Sequence, residues 1–391
     1  MKVALVRQRY QVGGGAERSV VNLASQLMKQ GCEVHLFAHS WVEDNLRGVV
    51  FHRVPIITGT SFLKVLSFAF FSARLLRKER FDIVHSFERT LYHDIYRAGD
   101  GCHREWLLQR HGTFPGRRFA DAISPLHHSI LALERRIFTP SCSRRVIANS
   151  RKTKAEIIRH YGFPGDRIAV IYNGVDLDRF HPGNRERLGS GIRPRLGLAP
   201  DDFVVLFVGS GFGRKGLRFL ILGAANVLSR RGDLPLKVVV AGKGDPQPYR
   251  ALATRLGIEK RLHFVGVWAK IEELYATGAA LVLPTLYDPF ANATLEAMAA
   301  GLPVITTQTN GASELLADGL SGFVLKDARD PRELGMRILD LLDGERRAAM
   351  GSEARRMAER FPMTRQAQET LALYREVLDE KKDELCPSQS R

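Results

Sequence analysis

The chain has 391 residues, of which 45% are hydrophobic and 26% are charged. This is a globular composition, and the length suits two domains of about 100–200 residues each. The four cysteines form no C-x-x-C pair, which gives no sign of a zinc or redox motif. The first residues form a strand pattern without a signal peptide, so we expect a cytoplasmic location and reduced thiols.

The positive charge is unevenly distributed. The formal net charge is +16, and residues 1–180 hold 28 basic and 16 acidic side chains, which accounts for +12 of it. Such an excess favours an anionic partner, which includes a membrane surface, a phosphorylated glycolipid or a nucleic acid. No nucleic-acid-binding module is visible, so we expect an anionic membrane surface and no nucleic acid.

Strand and helix patterns alternate through the first half, which predicts a parallel α/β sheet. Strands are predicted at 3–7, 33–38, 49–54, 83–86, 145–149 and 168–172, with helices at 17–29 and 151–161. The apolar run 65–73 is too short to span a membrane, which needs about 20 residues. It predicts a helix packed on this sheet or, alternatively, an interfacial helix.

A glycine-rich loop joins the first strand to the first helix. Glycines such as Gly14 and Gly15 let the backbone approach a ligand, and the helix that follows offers N–H groups to an anion. The loop is not G-x-G-x-x-G, so a dinucleotide cofactor is poorly supported. A tight strand-to-helix turn is the alternative interpretation.

Acid–base and basic residues follow the strand at 83–86. His103 is a candidate for proton transfer, since an unperturbed histidine has a pKa near 6.5. From it onward, cationic and bulky side chains alternate between 103 and 118. This pattern suits phosphorylated lipid headgroups, although an ordinary exposed loop and helix is equally consistent with it. The residues concerned include Arg104, Trp106, Arg110, Arg117 and Arg118.

The second half has a parallel-sheet pattern of its own. Strands are predicted at 203–209, 237–241, 263–265, 280–284 and 304–306, and helices at 331–342, 345–359 and 364–379. The first strand ends at Gly209 and runs into a glycine-rich loop that carries Arg214 and Lys215. Two adjacent cations before a helix suit a diphosphate, although a solvated pair is the alternative.

Two carboxylates lie eight positions apart in the string Asp288-Pro289-Phe290-Ala291-Asn292-Ala293-Thr294-Leu295-Glu296. Carboxylates at this spacing can accept hydrogen bonds from sugar hydroxyls. No D-x-D pair or His/carboxylate cluster has metal-ligand spacing. We therefore expect a reaction without a metal or other cofactor.

These motifs together resemble the retaining transferases of glycosyltransferase family 4, which have the GT-B fold. The resemblance rests on the Asp288–Glu296 string, on the loops that carry Gly14-Gly15 and Arg214-Lys215, and on Tyr172–Phe180. It implies two Rossmann-like domains with parallel sheets that face an interdomain cleft. The implied parts are an acceptor-binding domain at 1–175, a linker at 176–200, a nucleotide-sugar-binding domain at 201–363, and a helix at 364–391 that crosses back to the first domain.

The resemblance also implies roles for individual residues. Asp100, Arg214, Lys215 and Asp288 are catalytic, although the general base is open between Asp100, His103 and the departing phosphate. The donor contacts are Gly14, Gly15, Arg179, Gly209, Arg214, Lys215, Val265, Gly266, Asp288, Phe290, Ala291, Asn292, Ala293 and Glu296. The acceptor or membrane contacts are Glu17, Arg18, His103, Arg104, Trp106, Arg110, Arg117 and Arg118. Asp288 departs from the Glu that the family usually has there, and this leaves the donor hexose open.

The implied function is transfer of a hexose, glucose from UDP-glucose, to a lipopolysaccharide core or related glycolipid. The protein would act as a monomer at the inner face of the inner membrane. Three alternatives remain at this point. They are an exopolysaccharide or O-antigen transferase with another donor, a sugar-nucleotide epimerase on the same fold, and a sugar-nucleotide-binding protein without activity.

Overall fold

The computed structural model describes residues 1–9, 15–41 and 47–385, and the chain divides into two compact units. Unit 1 comprises Met1–Gly174 together with Met363–Arg391, and unit 2 comprises Val175–Pro362. Within the described ranges, no helix is long and apolar enough to cross a membrane.

Unit 1 is built on a seven-stranded parallel sheet with the order β3-β2-β1-β4-β5-β6-β7. The strands are β1 (Lys2–Val6), β2 (Glu33–Ala38), β3 (Val50–Arg53), β4 (Ile83–Ser86), β5 (Ile95–Arg97), β6 (Arg145–Ala148) and β7 (Ile168–Val170). The order on either side of β1 is that of a doubly wound sheet. The sequence pattern misses β5, because three residues are too few to show a strand period.

Seven α-helices are described in unit 1. They are α1 (Gly15–Lys29), α2 (Ser61–Leu76), α3 (His103–Thr113), α4 (Arg118–Ala122), α5 (Pro125–Ile137), α6 (Arg151–Tyr161) and α15 (Met363–Leu385). Local sequence signals fix several ends. The side chains of Thr60, Ser124 and Ser150 accept N–H groups at the starts of α2, α5 and α6.

Both faces of the first sheet are buried, as expected for a parallel sheet covered by helices. Val3 and Leu5 of β1 pack in a cluster with residues of α1 and α15, including Tyr374. Ala4 and Val6 point to the other face, where they pack with Phe68 and other α2 residues. The run 65–73 therefore lies in a helix packed on the sheet, although Leu66 and Phe70 on its outer side are exposed.

Unit 2 has a six-stranded parallel sheet with the order β10-β9-β8-β11-β12-β13. The strands are β8 (Phe203–Val208), β9 (Leu236–Ala241), β10 (Leu262–Gly266), β11 (Ala280–Leu283), β12 (Val304–Thr307) and β13 (Gly322–Leu325). All six residues of β8 are buried, which places this strand in the centre of the sheet. The sequence pattern misses β13, a four-residue strand that pairs with β12 alone.

The helices of unit 2 are α7 (Asn184–Arg195), α8 (Phe212–Lys215), α9 (Leu217–Arg230), α10 (Gln247–Arg255), α11 (Ile271–Thr277), α12 (Asn292–Ala299), α13 (Pro331–Asp340) and α14 (Gly344–Ala358). The segment 176–200, predicted as a linker, lies in unit 2 and contains α7. Glycines and Pro194 conceal the helical period of α7 in the sequence. The helix packs on α11, where Arg193 donates to the carbonyl oxygen of Thr277 at 2.8 Å.

Candidate functional site

A glycine turn places two cations at the carboxyl edge of the second sheet. β8 ends at Val208, and the short helix α8 follows and ends with Arg214 and Lys215. Gly216 then has φ +83°, and a Cβ atom there would lie 1.8 Å from the carbonyl oxygen of Pro284. Only glycine fits this position, because the backbone after β11 approaches so closely. Ligands of open α/β sheets bind at this edge.

Arg214 and Lys215 share one carboxylate. Nη1 of Arg214 lies 2.7 Å from Oδ2 of Asp288, and Nζ of Lys215 lies 2.9 Å from the same oxygen. Asp288 is 3% exposed. Burial raises the pKa of its carboxyl, but Lys215 and Arg214 lower it to about 2. The group is therefore ionised at neutral pH, and two positive charges meet one negative charge.

The peptide that follows Asp288 is held from inside the protein. The N–H of Phe290 donates to Oδ1 of Asp288, and the N–H of Ala291 donates to the side-chain oxygen of Asn310, both at 3.1 Å. Asn310 is fully buried, and its amide nitrogen donates to the hydroxyls of Thr294 and Thr306. Sequence reasoning missed Asn310, and no spacing signal in the chain marks it.

Glu296 lies on α12, the helix that begins at Asn292. It is buried, and the hydroxyl of Tyr275 donates to its Oε2 at 3.0 Å. Ala293 occupies the first turn of the same helix. Asp288, Phe290, Ala291, Asn292, Ala293 and Glu296 are thus brought together on one loop and helix of unit 2.

The other predicted donor residues of unit 2 make the following contacts within the protein. Nε and Nη2 of Arg179 donate to Oε2 of Glu272 on α11 at 2.9 and 2.8 Å. Gly266 has φ +68° and accepts the N–H of Gly242 at 2.8 Å. Val265 lies at a register shift in β10 that occurs just before Gly266. Gly209 has φ +151° and lies against the side chain of Lys215.

In unit 1 a buried carboxylate organises the region around Asp100 and His103. Glu134 of α5 is fully buried and accepts the N–H of His103 at 3.0 Å, the side chain of Arg89 at 2.8 Å and the hydroxyl of Tyr161 at 2.5 Å. Arg89 also donates to Oδ2 of Asp100 at 3.4 Å. The side chain of Asp100 is 59% exposed, so it remains open to a ligand. The sequence did not identify Arg89, Glu134 or Tyr161.

His103 takes part in a chain of imidazole contacts. Its Nε2 lies 2.9 Å from Nδ1 of His127, and Nε2 of His127 lies 3.4 Å from the buried carboxylate of Asp121. Burial lowers the pKa of His103 to about 3, and the nearby charges of Arg89 and His127 act in the same direction. His103 is therefore neutral at physiological pH.

The segment 103–123 presents an exposed apolar and basic surface, which we call the α3–α4 surface. Phe119 is 76% exposed and Ile123, which follows α4, is 64% exposed. Leu108 and Phe114 are exposed beside them. Arg104, Arg117 and Arg118 are also exposed, whereas Trp106 is half-buried. Arg110 points inward and lies 3.3 Å from Asp121.

The glycine-rich loop predicted to face the donor lies largely outside the described residues. Gly14 is one of the residues concerned. Gly15 is the first residue of α1, and the side chains of Glu17 and Arg18 also lie outside what the structure describes.

One cluster of potential metal ligands lies elsewhere in unit 1. His35, His52 and Glu79 have ligand atoms within 4.8 Å of one another. The two imidazoles, however, hydrogen-bond each other at 2.7 Å, and Glu79 lies 3.2 Å from Lys2. We assign this cluster no part in the site described above.

Comparisons with known proteins agree with this architecture. A family model described as Glycosyltransferase Family 4 matches residues 13–179, and one described as Glycosyl transferases group 1 matches residues 191–357. The matches cover most of both units. The chain therefore belongs to the GT-B glycosyltransferases.

Within this class the chain is similar to the lipopolysaccharide glucosyltransferase WaaG of Escherichia coli. The two are 27% identical over 85% of this chain and 87% of that protein. A crystal structure of WaaG matches 95% of this chain and 99% of its own, with 26% identity and a TM-score of 0.83. The D-inositol 3-phosphate glycosyltransferase of Corynebacterium glutamicum is 26% identical over 93% of this chain and 92% of its own length.

The fold is also shared by HepE of Anabaena, whose crystal structure is described as a complex with UDP-glucose. It matches 97% of this chain and all of its own, with 21% identity and a TM-score of 0.74.

Proposed function

We propose that this glycosyltransferase takes its sugar from a nucleoside diphosphate donor and holds the diphosphate with Arg214 and Lys215. The observation that carries the proposal is that both cations lie on one glycine turn and share Asp288. Because two positive charges face one carboxylate, an anion can bind without removing Asp288. The HepE structure, which shares the fold, was solved with UDP-glucose, and this supports the same class of donor.

The chemistry of transfer explains why fixed cations are useful. The bond between the anomeric carbon and the phosphate oxygen breaks, and a new bond forms to the acceptor oxygen. Negative charge grows on the departing diphosphate, and the acceptor proton passes either to that phosphate or to Asp100. Preorganised cations stabilise the growing charge more than the ground state. We propose that they act without a metal ion.

Asp288 then both holds the two cations and accepts a hydrogen bond from the donor sugar. A carboxylate has about four lone-pair sites, and three are taken by Arg214, Lys215 and the N–H of Phe290. One site on Oδ1 is left, which is enough to accept one hydroxyl of the donor hexose. We propose glucose as that hexose, and retention of its anomeric configuration, from the resemblance to family 4.

A glycolipid at an anionic membrane is the acceptor that the α3–α4 surface favours. Exposed Phe119 and Ile123 beside Arg104, Arg117 and Arg118 suit the interface of a bilayer, where apolar groups insert and cations meet anionic headgroups. The similarity to WaaG supports a lipopolysaccharide core or a related glycolipid. Such an acceptor places the enzyme at the inner face of the inner membrane.

A soluble inositol phosphate is the second candidate acceptor. It is favoured by the similarity to D-inositol 3-phosphate glycosyltransferases over nearly the whole chain. A soluble acceptor, however, gives no reason for two large apolar side chains to be exposed beside three arginines.

The test is a matrix of donors and acceptors. The protein is incubated with UDP-glucose, UDP-galactose, UDP-N-acetylglucosamine and GDP-mannose, each with a detergent-dispersed lipopolysaccharide inner core or with inositol 3-phosphate, and released nucleotide is measured. We expect UDP-glucose with the core to give the fastest release, and the same rate in EDTA. Faster transfer to inositol 3-phosphate would show that the acceptor is the soluble inositol phosphate and not the glycolipid. Loss of transfer in EDTA would overturn the proposal that the reaction needs no metal ion.

A further inference from the structure

A second strongly basic site lies in unit 1 at the amino edge of the first sheet. It is a pocket of about 490 Å³ lined by four arginines, which we call the basal pocket: Arg77, Arg136, Arg144 and Arg167. Asp94, which immediately precedes β5, and Arg144, which immediately precedes β6, mark its position. Asp100 follows the opposite end of β5, so the basal pocket is separate from the region proposed to serve the acceptor.

The carboxylates of the basal pocket already have cationic partners. Nη1 and Nη2 of Arg144 donate to the two oxygens of Glu384 at 2.5 and 2.7 Å. Nζ of Lys381 lies 2.8 Å from Oδ1 of Asp94. Each of the two negative charges is therefore matched by a positive charge from a neighbouring element.

The other three arginines are not matched in this way. Among the described residues, no carboxylate lies within ion-pair distance of Arg77, Arg136 or Arg167. All three are exposed and line one concave surface. Three uncompensated cations around one pocket form a site of positive potential that attracts anions.

Part of the basal pocket is preorganised. The guanidinium of Arg77 lies 5.2 Å from the centroid of the Tyr92 ring, a cation–π contact that limits its freedom. The adjacent His93 is buried, and its two ring nitrogens contact Thr90 and Ser143 at 3.1 and 2.7 Å. The wall that carries Tyr92 is thus fixed by buried hydrogen bonds.

We propose that the basal pocket binds a phosphate-bearing ligand, with Arg77, Arg136 and Arg167 as its contacts. Arginine presents a planar fork that matches phosphate oxygens in pairs. The volume lies within the range of small-molecule sites, about 300–1,000 Å³. The ligand acts away from the transfer chemistry, so this site goes beyond the proposed function. Its phosphate comes either from a soluble compound or from a lipid headgroup.

The position of the basal pocket keeps it apart from the α3–α4 surface. Arg136 lies in the last turn of α5, whereas Ile123 lies just before its first residue, Pro125. Arg136 follows Pro125 by 11 helical positions, which separates the two by roughly 17 Å. Variants of one surface therefore leave the other intact.

Calorimetry with inorganic pyrophosphate tests the proposal directly. The protein is first saturated with UDP, so that the donor site is occupied. The test variant carries Arg77→Gln and Arg136→Gln. The control carries Arg74→Gln and Arg135→Gln, which are exposed positions within three residues of Arg77 and Arg136 and remove the same charge. We expect the wild type and the control to bind one pyrophosphate, and the test variant to bind at least ten-fold more weakly.

A second arm identifies the source of the phosphate. The same proteins are sedimented with vesicles of phosphatidylcholine that contain phosphatidic acid. Selective loss of pyrophosphate binding in the test variant, with vesicle binding unchanged, assigns a soluble ligand, and selective loss of vesicle binding assigns a lipid headgroup. If the test and control variants behave equally in both arms, the proposal that the basal pocket binds phosphate is overturned. Neither readout depends on sugar transfer. If the protein did not bind UDP, the wild type and the control would bind a second pyrophosphate in unit 2, and the test variant would still lose the one in the basal pocket.

Discussion

The cluster around Asp288 in unit 2 and the cluster around Arg89 in unit 1 carry net charges of opposite sign. In unit 2, Arg214 and Lys215 outnumber Asp288, and the site has a positive surplus. In unit 1, Arg89 faces both Glu134 and Asp100, and the surplus is negative. A diphosphate needs the first balance, and a neutral hydroxyl that must lose a proton is suited to the second. The two charge balances suit a division of labour between the units, which variants of each cluster test.

The largest effect is expected at Asp100. If this carboxylate accepts the acceptor proton, Asp100→Asn lowers turnover by about 100- to 10,000-fold, because general-base catalysis typically contributes that much. UDP affinity should stay constant, and exposed Asp166→Asn is the control. His103→Gln should have a smaller effect, because an imidazole with a pKa of about 3 is a weak base. Normal turnover of Asp100→Asn would assign the proton to the departing phosphate.

Removal of either cation in unit 2 should lower turnover by about 100- to 1000-fold, the usual loss for one preorganised donor to a developing charge. Arg214→Ala and Lys215→Ala are compared with Arg218→Ala, an exposed position on α9. Lys215 is buried against Asp288, so its variant should also unfold at a lower temperature. Near-normal turnover in both variants would show that these two cations do not stabilise the departing diphosphate.

Vesicle binding should depend on the α3–α4 surface of unit 1. Each arginine near an anionic leaflet contributes about 1 kcal/mol, so Arg104→Gln, Arg117→Gln and Arg118→Gln together should weaken binding by roughly 100-fold. The matched control carries the same Arg→Gln change at three positions exposed elsewhere in unit 1, which are Arg47, Arg53 and Arg80. Sedimentation at low and high salt measures the effect. Equal losses in both triple variants would mean that net charge alone governs binding.

Glu296→Gln tests whether the buried carboxylate of α12 receives ribose hydroxyls. Hydrogen bonds to a charged group contribute about 1.5–3 kcal/mol, so UDP affinity should fall roughly 10- to 150-fold. Calorimetry with UDP measures the change. Tyr275→Phe removes the hydroxyl bonded to Glu296 but keeps the charge, and should have a smaller effect. Unchanged affinity in Glu296→Gln would leave this residue with a structural role.

The smallest effect concerns acid stability. The pKa of Asp288 is lowered from its usual 3.8 to about 2, so its ionised form stabilises the fold above pH 4 and this contribution is lost as the pH falls to 2. The shift corresponds to about 2 kcal/mol. The difference in unfolding free energy between the wild type and Asp288→Asn should shrink by that amount between pH 4 and pH 2 in urea titrations. A constant difference would mean that the ion pairs do not stabilise the fold.

The sequence predicts the strands with clear patterns and the loops where ligand chemistry is local. Arg214 and Lys215 are adjacent, so their common task is visible in the sequence itself. Their pairing with Asp288 joins residues 74 and 73 positions apart, and no pattern records it. The same holds for Glu134, whose partners Arg89 and Tyr161 come from other elements. Short β5 and β13 and the proline-containing α7 also lack a readable period.

The discontinuity of unit 1 has a consequence for how the protein is made. Tyr374 of α15 lies in the core of unit 1 and hydrogen-bonds His85 of β4 at 2.7 Å, yet it is separated from β4 by all of unit 2. On the ribosome, all of unit 2 is synthesised before α15. The apolar face of β1 and α1 therefore stays uncovered until α15 is made, and a nascent chain that stalls within unit 2 would expose it to chaperones.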